Sequence, residues 1–495
     1  MSNATLSPIT GTTSSAAVPA GPLQTRTKIV ATVGPACRSL AKLAELVQAG
    51  VDVFRLNMAH AKREEHLEVV NWIRQVSKEL GRPIAILADL AGPKIRLGQI
   101  PNDLISCHEG EVFRFIRGNT INNPGELTTT YEPLVDELVV GNSVMLADGT
   151  VGLVVEEKGH DYALCRVNQG GEFRSRQGVN LPGAKLSVRS MSDEDWANAV
   201  WAAEVGIDYV SLSFVRSPVE VRLLKELLHT RGSKAKVVAK IEKPEALDAL
   251  EAIVEATDAV MVARGDLGVE IDVARMPMVQ KEIVAMCHRY QRPVICATQM
   301  LDSMQHSKRP TRAEVTDVAN AILDGCDATM LSGETAIGDF PRLTVEMMKR
   351  IAAATEVQFI GKSLLPAPDK LPDGLLPVTQ AVVRGANNIA QELNARVIVA
   401  ASKSGLTALA ASKLRSRVPI LGISDSEVTL RQMCLFWGVT PLPSINAKEF
   451  TPIIEHVLKW GNATGYLKSG DRLVVVAGHG LGTGGHNMAL VHEVK

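Results

Sequence analysis

Arg55 and Asn57 lie two residues apart in the run VFRLN, and Lys240 and Glu242 lie two apart in VVAKIE. In an extended strand that spacing turns both members of a pair to one face. Asp89 sits near the end of the run IAILADL, Asp266 follows AVMVAR, and Thr298 ends PVICAT. These seven polar residues therefore collect at the C-terminal ends of apolar, β-branched stretches. If the stretches are neighbouring strands, about 4.8 Å apart, the carboxylates of Glu242 and Asp266 can share one hard cation. Magnesium suits such a pair, because it takes oxygen ligands and keeps positions open for the oxygens of an anionic ligand. Lys240 and Arg55 would then neutralise charge developing on that ligand. The same acids could instead pair with Lys240 and Arg264 in a structural ion network.

Eight such stretches occur: 28–33, 53–57, 84–90, 209–214, 237–242, 259–264, 293–298 and 328–333. All but the third lead directly toward amphipathic helical patterns such as 217–230 and 311–325. This alternation predicts an α/β fold with a parallel sheet, and eight units predict a closed (β/α)8 TIM barrel with its reacting groups at one mouth. After the third strand the pattern changes to short alternating runs with Gly and Asn turns, which predicts an inserted small all-β domain, a β-barrel lid, over 98–186. The catalytic barrel is then discontinuous, 26–97 and 187–360, of the usual size for this architecture. A Pro-rich linker follows at 361–377, and a C-terminal open α/β domain is expected over 378–495.

Lys+Arg 53 against Asp+Glu 54 gives a formal charge of −1, so there is no global field to attract a nucleic acid or an acidic membrane face. The 46% apolar and 22% charged content is that of a folded globular protein. No apolar run approaches the ~20 residues that span a bilayer. The seven cysteines are scattered and form no C-x-x-C pair, which points to free thiols in a reducing cytoplasm. Residues 1–25 are rich in Ser, Thr, Ala and Pro and lack a signal-peptide pattern, so a disordered tail is expected there.

The stretches KIVATVGPA, FRLNMAH, ADLAGPKIR, AKIEKPEAL, VARGDLGVEI, CATQMLDSM and RPTRAEVTDVANAILDGCDATMLSGETA, with the final α/β domain, resemble the pyruvate kinase family in order and over most of the chain. The resemblance implies phosphoryl transfer from phosphoenolpyruvate to ADP, giving pyruvate and ATP through a magnesium-bound enolate, as the last step of glycolysis. It also implies a cytoplasmic homotetramer. Residue by residue, Glu242 and Asp266 match the ligands of Mg2+, for which Mn2+ can substitute, and Lys240 matches the lysine facing the transferred group. Arg55 and Arg96 match phosphate contacts, and Asn57 and Asp89 match groups around a monovalent cation. Asn57, His60 and Arg96 fall on the nucleotide side. Thr298 matches the hydroxyl near the carbon that is protonated, and the backbone of Ala263, Arg264 and Gly265 matches the loop that holds the substrate carboxylate.

Some positions depart from the family pattern. Ala59 replaces a usual serine and Lys94 a usual glutamate, so the ammonium could supply the charge of a monovalent cation and no K+ requirement is expected. Ser187, Val200 and Ala91 depart on the nucleotide and second-metal side. In SKSGLTA, residues Ser402, Lys403, Ser404, Gly405 and Thr407 join a strand to a helix, as a phosphate site would. By resemblance this is an effector site for a sugar phosphate or AMP, with the Gly-rich 478–485 closing over it; a turn with an N-cap explains the same residues. Two other readings stay open: a metabolite or nucleotide sensor with weakened catalysis, and a magnesium-dependent lyase acting on pyruvate enolate.

Overall fold

The computed structural model describes residues 25–184, 187, 189–359, 368–444, 450–477 and 488–495. Most of the expected tail, the first part of the linker and the Gly-rich 478–485 lie outside them.

Eight parallel strands close into a barrel. In chain order they are Lys28–Thr32, Val53–Asn57, Ala85–Asp89, Tyr209–Leu212, Lys236–Ile241, Ala259–Ala263, Val294–Ala297 and Ala328–Leu331. The last pairs with the first in the register Lys28↔Ala328 to Ala31↔Leu331. Strands covered on both faces must be apolar almost throughout; six of the eight are buried end to end, the fifth leaves only Lys236 half-exposed, and the second leaves Arg55 and Asn57 half-exposed. The expected strand limits agree with these to within two residues. At the sixth and seventh strands the small differences matter: Arg264 already begins a helix, Arg264–Glu270, and the seventh strand stops at Ala297, one residue before Thr298.

Between the third and fourth barrel strands, the inserted segment folds about its own apolar core, which includes Phe113, Phe115, Leu153 and Phe173. Its strands form a six-stranded sheet and a two-stranded ribbon. The stretch 95–98 bridges both edges of this sheet, as a β-barrel requires: the Val179 amide donates to the Ile95 carbonyl at 2.9 Å beside the edge strand Val179–Asn180, and the Gly98 amide donates to the Thr128 carbonyl at 2.7 Å beside the other, Glu126–Leu127.

The C-terminal domain is a five-stranded sheet, parallel except for its last strand, Met488–Glu493. One of its edge strands, Val439–Pro443, does not stand out in the sequence because it carries two prolines, which only a sheet edge accommodates. This domain packs against the N-terminal ends of the barrel strands. Inner barrel residues Val30, Leu87, Met261 and Met330 share one apolar cluster with Met433, Phe436 and Val474. Two buried acids lock the junction. Asp208 meets Arg74 at 2.9 Å and Arg431 at 2.7 Å, and Asp327 meets Lys413 at 2.6 Å. The barrel is thereby stopped at the bottom, and its mouth opens at the opposite end.

Candidate active site

The polar residues at the strand ends converge, and an ion cluster results. Arg55 on the second strand donates from Nε to Asp89 Oδ2 at 2.7 Å, and its Nη1 reaches Thr32 Oγ1 at 3.1 Å. Lys240 on the fifth strand places Nζ 2.8 Å from Glu242 Oε1 and 3.5 Å from Asp89 Oδ1, and donates to Ser213 Oγ at 2.8 Å. Ser211 Oγ donates to Asp89. Glu242 also accepts the Phe214 amide at 2.7 Å.

Nearly all of these groups are buried, so their charges are felt strongly. Burial works against ionisation of Asp89, yet Lys240 and Arg55 hold its carboxyl below the ordinary range. Burial likewise opposes the charge on Lys240, but Asp89 and Glu242 raise its pKa, so it stays an ammonium. Glu242 is pushed upward, first by burial and further by the charge of Asp266, against the pull of Lys240. A buried Glu242 carboxyl with Asp266 near enough to raise it is a donor set that a divalent cation would relieve. No cluster of three or more His, Cys, Asp or Glu with metal-binding geometry occurs among the described residues. A cation held by Glu242 and Asp266 would keep its other positions for water and ligand oxygens.

On the neighbouring side, Thr298 follows the seventh strand with φ 67°, and Gln299 has φ 53°. Thr298 Oγ1 accepts the Gly265 amide at 2.7 Å and donates to the Ala297 carbonyl at 2.7 Å. The Arg264 guanidinium pairs with Asp317 at 2.7 Å and donates to the Thr298 carbonyl at 2.9 Å.

Other expected site residues lie further out. Asn57 Oδ1 accepts the Ala59 amide at 3.2 Å and so shapes the loop after the second strand. His60 is exposed, and its carbonyl meets Nε2 of the buried His66 at 2.7 Å. Lys94 is exposed at the junction with the inserted sheet, lining a crevice with Phe214, Arg216 and Lys243. Arg96 spends its Nη1 on the Arg176 carbonyl, at 3.1 Å. Ser187 donates to the Glu137 carboxylate, which also accepts from Tyr131 at 2.7 Å, so an acid stands beside position 187 although the residue there is a serine. In the C-terminal domain Ser402 Oγ accepts the Gly405 amide at 2.9 Å, Gly405 has φ 87°, and Thr407 is buried at the start of helix Leu406–Lys413. Ser402 thus closes the turn into the helix, whose N-cap is Gly405, and Lys403 and Ser404 are exposed.

Four further residues were not singled out from the sequence. Ser211 and Ser213 alternate along SLSF, and that period-two pair of hydroxyls on a barrel strand was a usable signal. Glu334, buried after the eighth strand, accepts the Leu301 and Ser332 amides at 3.1 and 2.7 Å, and burial raises its pKa. Asp317 gave no signal, because its partner lies far away in the chain.

Two family models match this chain: the pyruvate kinase barrel domain over residues 24–345 and the pyruvate kinase alpha/beta domain over residues 380–492. Among similar proteins, pyruvate kinase 2 of Synechocystis sp. is 41% identical over 483 residues, covering 96% of this chain and 80% of the relative. Pyruvate kinase of Corynebacterium glutamicum is 40% identical over 472 residues, 94% of this chain and 97% of the relative. That of Staphylococcus aureus is 38% identical over 472 residues, 95% and 80%.

Proposed function

This chain belongs to the pyruvate kinase family, and we propose that the groups at its barrel mouth divide the family's chemistry among them. The enzyme transfers the phosphoryl group of phosphoenolpyruvate to ADP, giving pyruvate and ATP. A divalent metal is the family's cofactor. Our reading is that it is Mg2+, held by Glu242 and Asp266, where it would supply charge neutralisation to the substrate oxygens.

In phosphoryl transfer the migrating group spreads negative charge over three oxygens, so catalysis is chiefly positioning and neutralisation. Lys240 faces that group as a fixed ammonium, and Arg55, aligned by Asp89 and Thr32, contacts its oxygens. The backbone of Ala263, Arg264 and Gly265 takes the substrate carboxylate. Arg96, Asn57 and His60 contact the nucleotide. After transfer, Thr298 lies on the side from which the substrate's methylene carbon gains its proton. The observation that supports this reading most is the Lys240–Glu242 contact at 2.8 Å beside Asp89, which keeps Lys240 charged inside the cavity. A coupled assay for pyruvate from phosphoenolpyruvate and ADP, run beside Lys240→Met, tests it: wild-type turnover with loss in the variant is expected, and equal rates would overturn it.

The reading extends to three finer points. Lys94 with Ala59 makes turnover independent of K+. The loop at Ser402–Thr407 takes the phosphate of a sugar-phosphate or AMP effector; fructose 1,6-bisphosphate, ribose 5-phosphate and AMP, each added at subsaturating phosphoenolpyruvate, discriminate among them, and no response to any would reject the site. The enzyme works in the cytoplasm as a homotetramer, which sedimentation velocity would check.

A further inference from the structure

The turn that carries Thr298 is held in an unfavourable shape. A β-branched residue at φ 67°, followed by Gln299 at φ 53°, is a conformation that L-residues rarely adopt and that persists only when neighbouring bonds over-determine it. Those bonds come from one guanidinium. Arg264 Nε donates to the Ala297 carbonyl at 3.3 Å, and its Nη2 donates to the Thr298 carbonyl at 2.9 Å. Two successive carbonyls are thereby gripped from one side. The grip is aimed by Asp317, whose two oxygens lie 2.8 and 2.7 Å from Arg264 Nη1, with Gln280 Oε1 at 3.5 Å.

Asp317 is itself fixed by its helix. Arg312–Asp324 begins with a reciprocal cap between Thr311 and Glu314 and ends at Gly325, φ 102°. The capping Glu314 also accepts the Ser303 amide at 2.7 Å, so the same helix holds the far end of the loop that starts at Thr298. The Gly265 amide, next to Arg264, donates to the Thr298 hydroxyl. Backbone and side chain of Thr298 are therefore set by one short segment, Arg264–Gly265.

We propose that Arg264 and Asp317 are positioning residues that fix the Thr298 hydroxyl for the carbon-protonation half of the reaction, a role that rests on the reading of Thr298 given above. In that step the enolate oxygen becomes the ketone oxygen while the C=C electron pair takes a proton from solvent at the methylene carbon, forming the new C–H bond of pyruvate. Phosphoryl transfer is complete by then and uses Lys240 and Arg55, which the clamp does not touch. Loss of the clamp should therefore separate the two halves.

The test measures both halves in Asp317→Asn, Arg264→Lys, Thr298→Val and the double variant Asp317→Asn/Thr298→Val. Exchange of pyruvate methyl protons in D2O, followed by proton NMR with Mg2+ and ATP present, reports the carbon step; ATP formation from phosphoenolpyruvate and ADP reports phosphoryl transfer. A misplaced group can cost up to about 100-fold in rate, so exchange in Asp317→Asn is expected to fall at least about tenfold. In Asp317→Asn, ATP formation and the KM for phosphoenolpyruvate should change little, Asp317→Glu should recover exchange, and the double variant should exchange no more slowly than Thr298→Val alone. Exchange unaffected in Asp317→Asn, or both activities falling equally as a general structural defect would make them, overturns the clamp. Exchange unaffected in Thr298→Val removes the reading of Thr298, and the proposal with it.

Discussion

The ammonium of Lys240 stands 2.8 Å from the carboxylate of Glu242, two residues along the same strand. The same nitrogen is 3.5 Å from Asp89, so one cation is shared by acids from the third and fifth strands. Substituting Lys240→Met leaves Asp89 its partner Arg55 but strips Glu242 of its ammonium. A fixed charge aimed at a developing one is typically worth about 10²–10³ in turnover. Pyruvate formation should fall by at least that factor with the fold intact by circular dichroism; near-normal turnover would reject the assigned role.

Chelation tests the paired acids. Turnover should vanish with EDTA and return with Mg2+ or Mn2+. In Glu242→Gln the half-saturating Mg2+ concentration should rise by at least about tenfold, a change of about 1.4 kcal/mol. An unchanged Mg2+ curve would show that Glu242 is not a ligand.

Lys94 is an exposed lysine at the junction with the inserted sheet. With buffers free of K+ and Na+, the wild type should turn over at its full rate. Lys94→Glu, which removes the resident positive charge, should become slow until K+ is added. A K+ requirement in the wild type would end this reading.

His66 supplies a pH dependence. Burial first, with Arg38 adding to it, depresses its pKa below the ordinary value, although the His60 carbonyl partly offsets this. The unfolded chain then binds a proton that the native state resists. The stability contributed by the neutral ring is present above the ordinary pKa of about 6.5 and is lost as pH falls through the lower folded value. Chemical denaturation of His66→Gln should show a shallower loss between roughly pH 6.5 and 5 than the wild type. Parallel curves would mean that His66 does not titrate in this way.

At the barrel floor, Asp327 contacts Lys413 at 2.6 Å and Arg415 at 3.2 Å, all three buried. Asp327→Asn leaves two cations without their acid. Breaking a buried pair of this kind costs about 3–5 kcal/mol. The midpoint of urea unfolding should fall accordingly, while the KM for phosphoenolpyruvate, bound at the far end of the barrel, should hold. Stability within about 1 kcal/mol of wild type would count against this account.

Much of the architecture can be read locally. The strand Val53–Asn57 is marked by its β-branched and apolar run and ends in a polar pair, and the helix Arg312–Asp324 announces itself by Thr311, Glu314 and Gly325. Ser211 and Ser213 were legible as an alternating pair but carried no charge to draw notice. The edge strand Val439–Pro443 was hidden, since its prolines mask it, and the bridging of the inserted sheet by residues 95–98 rests on bonds to segments thirty or more residues away.

By itself, the amino-acid order determined which elements form and which polar residues end them, because side-chain periodicity and cap chemistry act over a few residues. Only the folded chain decided how those ends are paired: that Asp89 divides itself between Arg55 and Lys240, that Arg264 turns to Asp317, and that Thr298 is bent into a left-handed turn. Such pairings join residues far apart in the chain, and their energies depend on burial and on a few tenths of an ångström. Neither exists until the barrel has closed.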